Sequence, residues 1–260
     1  MNWHATLKRP PLTAGIILRS VALNLAFYVS YPLAMLALSP VLFGSRWRAM
    51  WALKWWSRTF VRMCAVIGGL RMEVRGAEHI PAGAAIVAGN HQSMWETFAL
   101  FHLFDDPAIV LKKELGLIPL VGSYLRVLRM LLVARERGGP AMRAMLREAK
   151  RARAAGRQIL IFPEGTRRPP FQPGRFMPGV AALYGALQAP CVPLAHNAGV
   201  FWPRRRFWRW PGTIVVEFLP PIEPGLERRV FLRRLEETVT RAAERLSEEA
   251  FLRLQRGACR

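Results

Sequence analysis

The stretch Asn90–Phe98 reads NHQSMWETF and follows AAIVAG, a small, apolar, β-prone run that has the look of the end of a buried strand. A histidine is the side chain whose ordinary pKa lies nearest neutrality. A carboxylate within reach would orient its ring and stabilise its protonated form, so His91 and Glu96 have the makings of a general base and its brace. The same letters also spell a structural device. Ser93 to Glu96 fits S-x-x-E, the capping box of a helix running through TFALFHLF, in which Glu96 would only satisfy backbone donors. Residues five apart on an ideal helix are about 140° apart around its axis, so the pair can meet only if the chain bends between them. With Ser93 as the cap, His91 precedes the helix and that bend is available, although one carboxylate is not expected to serve both roles fully.

A second cluster follows another apolar run. RQILIF leads straight into Phe162-Pro163-Glu164-Gly165-Thr166-Arg167-Arg168, where a proline and a glycine end the strand and turn polar groups out at its carboxyl end, the usual ligand-binding edge of an α/β sheet. Arg167 and Arg168 could hold a phosphate bidentately. Glu164 could accept from a hydroxyl or steady one of the arginines. A third cluster, Lys112-Lys113-Glu114 before Ile118-Pro119-Leu120-Val121-Gly122, again puts cations after a predicted strand, and Arg135 ends a fourth.

These groups need a scaffold, and the chain supplies an alternating pattern. From Arg71 onward, RMEVRG, AAIVAG, PAIVLKK, MLLVAR, RQILIF, CVPLAH and TIVVEFLP read as strands. PAMRAMLREAKRARAAG between two of them has Met142, Met145, Leu146 and Ala149 at helical spacing and Gly156 as its stop, and a charged helix over about 226–254 closes the chain. Strand, helix, strand predicts an α/β domain over 71–260.

Residues 1–70 differ in kind. Val21 to Phe43 is an uncharged stretch long enough to cross a hydrocarbon core of about 30 Å, but Pro32 and Pro40 interrupt it, so a kinked span and a helix that dips into one leaflet fit equally. The apolar run exceeds a signal-peptide core, and the segment is expected to be retained. Next, Trp47, Trp51 and Trp55 recur every fourth residue with Arg48, Lys54, Arg58 and Arg62 between them, as in a helix lying at a membrane interface.

The formal net charge is +21, and of 38 basic residues only five are lysine, the remaining 33 being arginine. Such a chain suits an anionic membrane face, a phosphorylated substrate or nucleic acid. The apolar N-terminal segment and the buried-strand pattern argue against a nucleic-acid module. Cys64, Cys191 and Cys259 share no metal-ligand spacing and are odd in number, which predicts reduced thiols, no structural zinc and no disulfide framework. A serine hydrolase built on Ser93 or Ser123 lacks the G-x-S-x-G elbow. A non-catalytic basic protein bound to the membrane is the alternative of another class.

Taken together, NHQSMWE, KKELGLIPLVG, FPEGTR and VPLAHNAG, in this order over roughly residues 85–200, resemble the four sequence blocks of the 1-acyl-glycerol-3-phosphate acyltransferases. The resemblance implies a mixed sheet flanked by helices behind an N-terminal membrane-binding segment. It also implies acyl transfer from a thioester, acyl-CoA or acyl carrier protein, to the free hydroxyl of a lysophospholipid, with no metal and no bound cofactor. His91 would then be the general base and Glu96 its orienting acid. Lys112, Glu164, Gly165, Thr166 and Arg167 would meet the phosphate-bearing acceptor, with Arg135 and Arg168 nearby, and Val192-Pro193 would line the acyl side. The acceptor would be lysophosphatidic acid or another lysolipid such as a lyso-ornithine lipid. The site would face the cytoplasm at a bacterial inner membrane, where thioester donors are found. Two departures stand out: the family's usual aspartate is Glu96 here, and Gln172-Pro173 precedes Gly174 where a lysine is common.

Overall fold

A computed structural model describes residues 9–134 and 138–258. All seven predicted strands form: β1 (Leu70–Arg75), β2 (Ala85–Gly89), β3 (Pro107–Lys112), β4 (Leu131–Val133), β5 (Gln158–Ile161), β6 (Cys191–His196) and β7 (Gly212–Phe218). They make one sheet in the order β1-β7-β6-β2-β5-β3-β4. All pairings are parallel except β6 with β7. The carboxyl ends of β2, β3 and β5 therefore lie along one edge, which brings together the segments singled out by residue type.

β2, β5 and β6 are buried at every position because helices cover both faces of the sheet. Alternation along each strand divides the core in two. Val87, Ile109, Leu160 and Leu194 point to the face shared with Leu23, Phe27 and Phe60 of α1 (Ala14–Ala37) and α2 (Arg46–Val66). Ile86, Ala88, Ile159 and Ile161 point to the face covered from α5 (Gly138–Ala154), α6 (Gly179–Leu187) and α8 (Arg228–Ala258). Three shorter helices complete the chain, α3 (Glu96–Ala99), α4 (Val121–Val127) and α7 (Ala198–Phe201). Gly156 closes the turn after α5 with φ of 74°, the left-handed conformation expected of a helix stop.

The first helix is longer than the uncharged stretch, starting at Ala14 and running through Pro32 to Ala37 without interruption. Pro32 removes one backbone donor but does not end the helix. Pro40 does mark a change, since it opens the 3-10 turn Ser39–Phe43. In α2 the tryptophan stripe faces outward, Trp47 being 60 % and Trp51 58 % exposed, whereas Trp56 is buried.

The start of α2 is bolted to the sheet. Arg46 forks onto Asp106 at 2.6 and 2.7 Å, and the buried Arg157 meets the same carboxylate at 3.1 Å while donating to the carbonyls of Pro107, Leu128 and Arg129. The described thiols, Cys64 and Cys191, are free and buried. Cys259 lies outside the described residues, as does Arg135.

Candidate active site

The site begins where β2 ends. A Cβ on Gly89 would come within 2.8 Å of a Leu194 methyl, so glycine lets β2 and β6 close together here. Asn90 then extends the β2–β6 pairing with its side chain, donating Nδ2 to the His196 carbonyl at 2.9 Å and accepting the His196 amide on Oδ1 at 2.9 Å. His196 Nε2 donates in turn to the Asn90 carbonyl at 2.7 Å, and its Nδ1 accepts from the Ala198 amide at 3.3 Å, which fixes a neutral tautomer. This three-bond clasp holds the chain at the residue before His91.

His91 and Glu96 meet. Nδ1 of His91 lies 2.8 Å from Oε1 of Glu96, and the ring stacks on Phe162, with centroids 4.7 Å apart and planes 19° apart. With Nδ1–H donated to the carboxylate, Nε2 carries the lone pair, and it has no hydrogen-bond partner among the described residues. An imidazole held in this way can act as a general base on the side away from its brace.

The capping geometry and the contact with His91 coexist on Glu96, more fully than the partial compatibility expected of one carboxylate. Oε1 of Glu96 accepts not only from His91 but also from the amides of Gln92 at 3.0 Å and Ser93 at 2.8 Å, while Ser93 Oγ accepts from the Trp95 amide at 3.2 Å. The sharp bend between residues 91 and 95 points three N–H groups at one oxygen. The predicted helix through TFALFHLF is correspondingly short, with α3 giving way to a 3-10 turn at Leu100. Oε2 is buried without a partner. Burial by itself raises the Glu96 carboxyl, but the facing imidazoles of His196, at 3.8 Å, and His91, with the Ser93 amide, hold it below the usual carboxylate range.

His196 went unremarked in the sequence because its partners are distant in the chain. Burial lowers its pKa from the ordinary 6.5, with Glu96 opposing in part. Below that ordinary value the unfolded chain takes up a proton that the folded chain refuses, so stability is full above it and falls as the pH drops through it. The expected result is that thermal melting of His196→Gln depends less steeply on pH between about 7 and about 5 than that of the parent chain. His102 is shifted in the same direction, but its contribution cancels in this comparison. Parallel melting curves would show that His196 does not titrate with unfolding.

The turn after β5 comes next to His91. Glu164 Oε1 accepts the His91 amide at 2.8 Å and Oε2 the Gly174 amide at 3.1 Å, so this carboxylate ties two parts of the β5–α6 loop to the segment after β2. Burial raises its pKa, the two amides opposing. A Cβ at Gly174 would meet Arg168 Nε at 2.9 Å and Glu164 Oε2 at 3.3 Å, so the tie needs glycine there. Gly165 takes φ of 68° to make the turn. The Arg168 amide donates to the His91 carbonyl at 2.7 Å, while its side chain is exposed. Thr166 is half-buried beside Arg167, whose Nε is buried and unpartnered. Lys112 stands two strands away, exposed at the end of β3 and 4.0 Å from Glu114.

Arg167 also lines a cavity of about 370 Å³, within the size range of small-molecule pockets. Its other walls are apolar: Tyr31 and Met35 of α1, Trp56 of α2, Met94 and Phe98 from the segment that follows His91, and Tyr124 of α4. Val192 and Pro193, expected on the acyl side, are not among them. Both are buried inside β6, where Val192 joins the core and the Pro193 carbonyl accepts from Leu219.

Residues 71–197 match the family model described as Acyltransferase. The chain is 37 % identical over 184 residues to the 1-acyl-sn-glycerol-3-phosphate acyltransferase of Pseudomonas aeruginosa, an alignment covering 70 % of this chain and 71 % of that one. The chain belongs to the acyltransferase family. The human 1-acyl-sn-glycerol-3-phosphate acyltransferase beta is 28 % identical over 171 residues, covering 63 % of this acyltransferase and 60 % of its own length. The crystal structure of the 1-acyl-sn-glycerophosphate acyltransferase from Thermotoga maritima shares the fold, with a TM-score of 0.70 at 21 % identity over 89 % of this chain and 95 % of that one. Among the described residues one helix of this acyltransferase, α1, is long and apolar enough to cross a membrane.

Proposed function

We propose that this enzyme transfers a fatty acyl group from a thioester, acyl-CoA or acyl carrier protein, to the free hydroxyl of 1-acyl-glycerol-3-phosphate, giving phosphatidic acid at the cytoplasmic face of a bacterial inner membrane. One observation carries the reading: an imidazole with a free Nε2, braced by a buried carboxylate, packs on the turn that carries Arg167, whose guanidinium has a buried, unpartnered Nε and borders an apolar cavity. Those are a base, an anion anchor and a place for a hydrocarbon chain.

A lipid hydroxyl ionises far above neutrality, so its attack needs proton removal as the new bond forms. His91 Nε2 takes that proton while the hydroxyl oxygen bonds to the thioester carbonyl carbon. The tetrahedral intermediate then collapses, the carbon–sulfur bond breaks, and the departing thiolate recovers the proton from the imidazolium, which Glu96 stabilises in the meantime. Arg167 anchors the acceptor phosphate, with Lys112 and Arg168 at the same sheet edge, and thereby turns a lateral encounter in the bilayer into a fixed approach. The thioester is a co-substrate, and the reaction calls for no cofactor.

Arg167→Ala is expected to raise the acceptor KM at least tenfold with a smaller change in kcat, because a desolvated phosphate–guanidinium contact contributes about 1.5–3 kcal/mol. Initial rates against acceptor concentration measure both constants, and unchanged values would remove Arg167 from the phosphate site. The acceptor itself is tested by offering the purified enzyme equal amounts of lysophosphatidic acid, a lyso-ornithine lipid and neutral lysolipids with one acyl donor. Mass spectrometry of the products should show phosphatidic acid dominating. Dominant acylation of the lyso-ornithine lipid would replace the acceptor while leaving the chemistry intact.

A further inference from the structure

The connection from α7 to β7, Trp202–Trp210, reads WPRRRFWRW, and nothing in the reaction accounts for it. Arg204, Arg205, Arg206 and Phe207 are all exposed, Phe207 to 49 %. None of the three arginines makes an ion pair among the described residues. Exposed cations are ordinary, but the stalk beneath these is built. Arg209 is buried, stacks 4.3 Å over Trp202, and donates to the carbonyls of Arg206 and Trp208 and to Oδ1 of Asn24. Asn24 donates Nδ2 to the Phe207 carbonyl at 3.0 Å, and Ser20 Oγ accepts the Arg209 amide at 2.9 Å. The polar residues buried on α1, an otherwise apolar helix, are thus spent on holding this loop. On the same helix Val21, Leu25 and Tyr28 are exposed, so the exposed Phe207, its carbonyl held by Asn24, belongs to a loop tied to a helix that leaves apolar residues uncovered. Arg9 adds a cation behind the tip, close enough to feel Arg206, while it stacks 5.2 Å over Trp210.

We propose that Arg204, Arg205, Arg206 and Phe207 form a second membrane contact, in which the aromatic ring enters the interface beside α1 and the guanidinium forks grip anionic phospholipid headgroups. Planar forks match phosphate, and a half-exposed aromatic among cations suits the headgroup layer. Arg204 Nη1 also donates to the Arg167 carbonyl at 2.9 Å, so the contact is tied directly to the turn that anchors the acceptor. The inference rests on the membrane-facing reading of α1 and commits to a lipid surface as the occupant.

Sedimentation of the full-length chain with vesicles tests it, using pure phosphatidylcholine and phosphatidylcholine mixed with phosphatidylglycerol. The parent chain should partition more strongly to the anionic vesicles. R205Q/R206Q should lose about fivefold per arginine, about thirtyfold in all, on anionic vesicles only. F207S should weaken binding to both compositions. Thermal melting of both variants should match that of the parent, since the altered side chains are exposed. Equal partitioning of R205Q/R206Q and parent to anionic vesicles overturns the proposal while leaving membrane association and acyl transfer standing. Failure of the parent to bind either vesicle overturns the membrane reading as well. A variant that binds vesicles normally but loses activity only with acyl carrier protein thioesters would show that the patch docks an acidic protein, and would overturn the lipid assignment.

Discussion

Replacing His91 by alanine is expected to lower kcat by about 10²- to 10⁴-fold, or ~3–5 kcal/mol of barrier, with the fold and membrane binding retained. The size follows from geometry. Nε2 is the nitrogen of the His91 ring that is free to receive a proton, and the neighbouring His196 cannot stand in for it, because it spends both ring nitrogens on Ala198 and Asn90. Retention of the fold follows too. The bend before α3 is held by amides of Gln92 and Ser93 on Glu96 and by the Asn90 clasp, none of which needs the His91 ring. Truncation removes the contact with Phe162 and one charge-assisted bond, a modest loss. Steady-state rates with saturating donor and acceptor, alongside thermal melting, check both halves. Near parental turnover would remove His91 from the chemistry, and a collapsed melting transition would move its role to folding.

The second large effect belongs to Glu96→Gln. The amide oxygen can still accept from the backbone amides, but the –NH2 group then occupies the position of Oε2, buried and without an acceptor, at a cost of about 1–3 kcal/mol. Turnover suffers separately. A neutral amide holds the His91 ring less firmly and does nothing for the imidazolium formed during attack, so kcat should fall about a hundredfold or more while the acceptor KM stays within about twofold. A residue acting only as a helix cap would show the melting shift without the rate loss. Glu96→Ala should be the less stable of the two variants, because it strands the Gln92 and Ser93 amides as well. Comparing kcat and melting temperature across the two substitutions separates positioning from capping.

How much of this was readable beforehand depended on how local the signal was. β2, β5 and β6 were legible because strands covered on both faces are apolar at almost every position, and the turn after β5 was legible because FPEGTR ends that strand with proline and glycine. Strand order was not, since nothing near Cys191 in the sequence says that it will lie between β7 and β2. The double duty of Glu96 was legible only in part, for a similar reason. It turns on a bend over residues 91–95 whose dihedrals no propensity specifies, and only that bend aims three donors at one oxygen. Glu164 was placed at the acceptor by the family resemblance, and its oxygens each accept an amide, 73 and 10 residues away in sequence. Pro32 misled in the other direction: α1 runs on through it to Ala37, one missing backbone donor being tolerated inside a long helix.

The most direct test of the central claim, that a braced imidazole activates an anchored lipid hydroxyl, is thiol release from a long-chain acyl thioester by the purified enzyme, with and without 1-acyl-glycerol-3-phosphate. The account predicts release only when the acceptor is present, in equal amount to the phosphatidic acid formed. Thiol release that proceeds without an acceptor, or none with it, would contradict it.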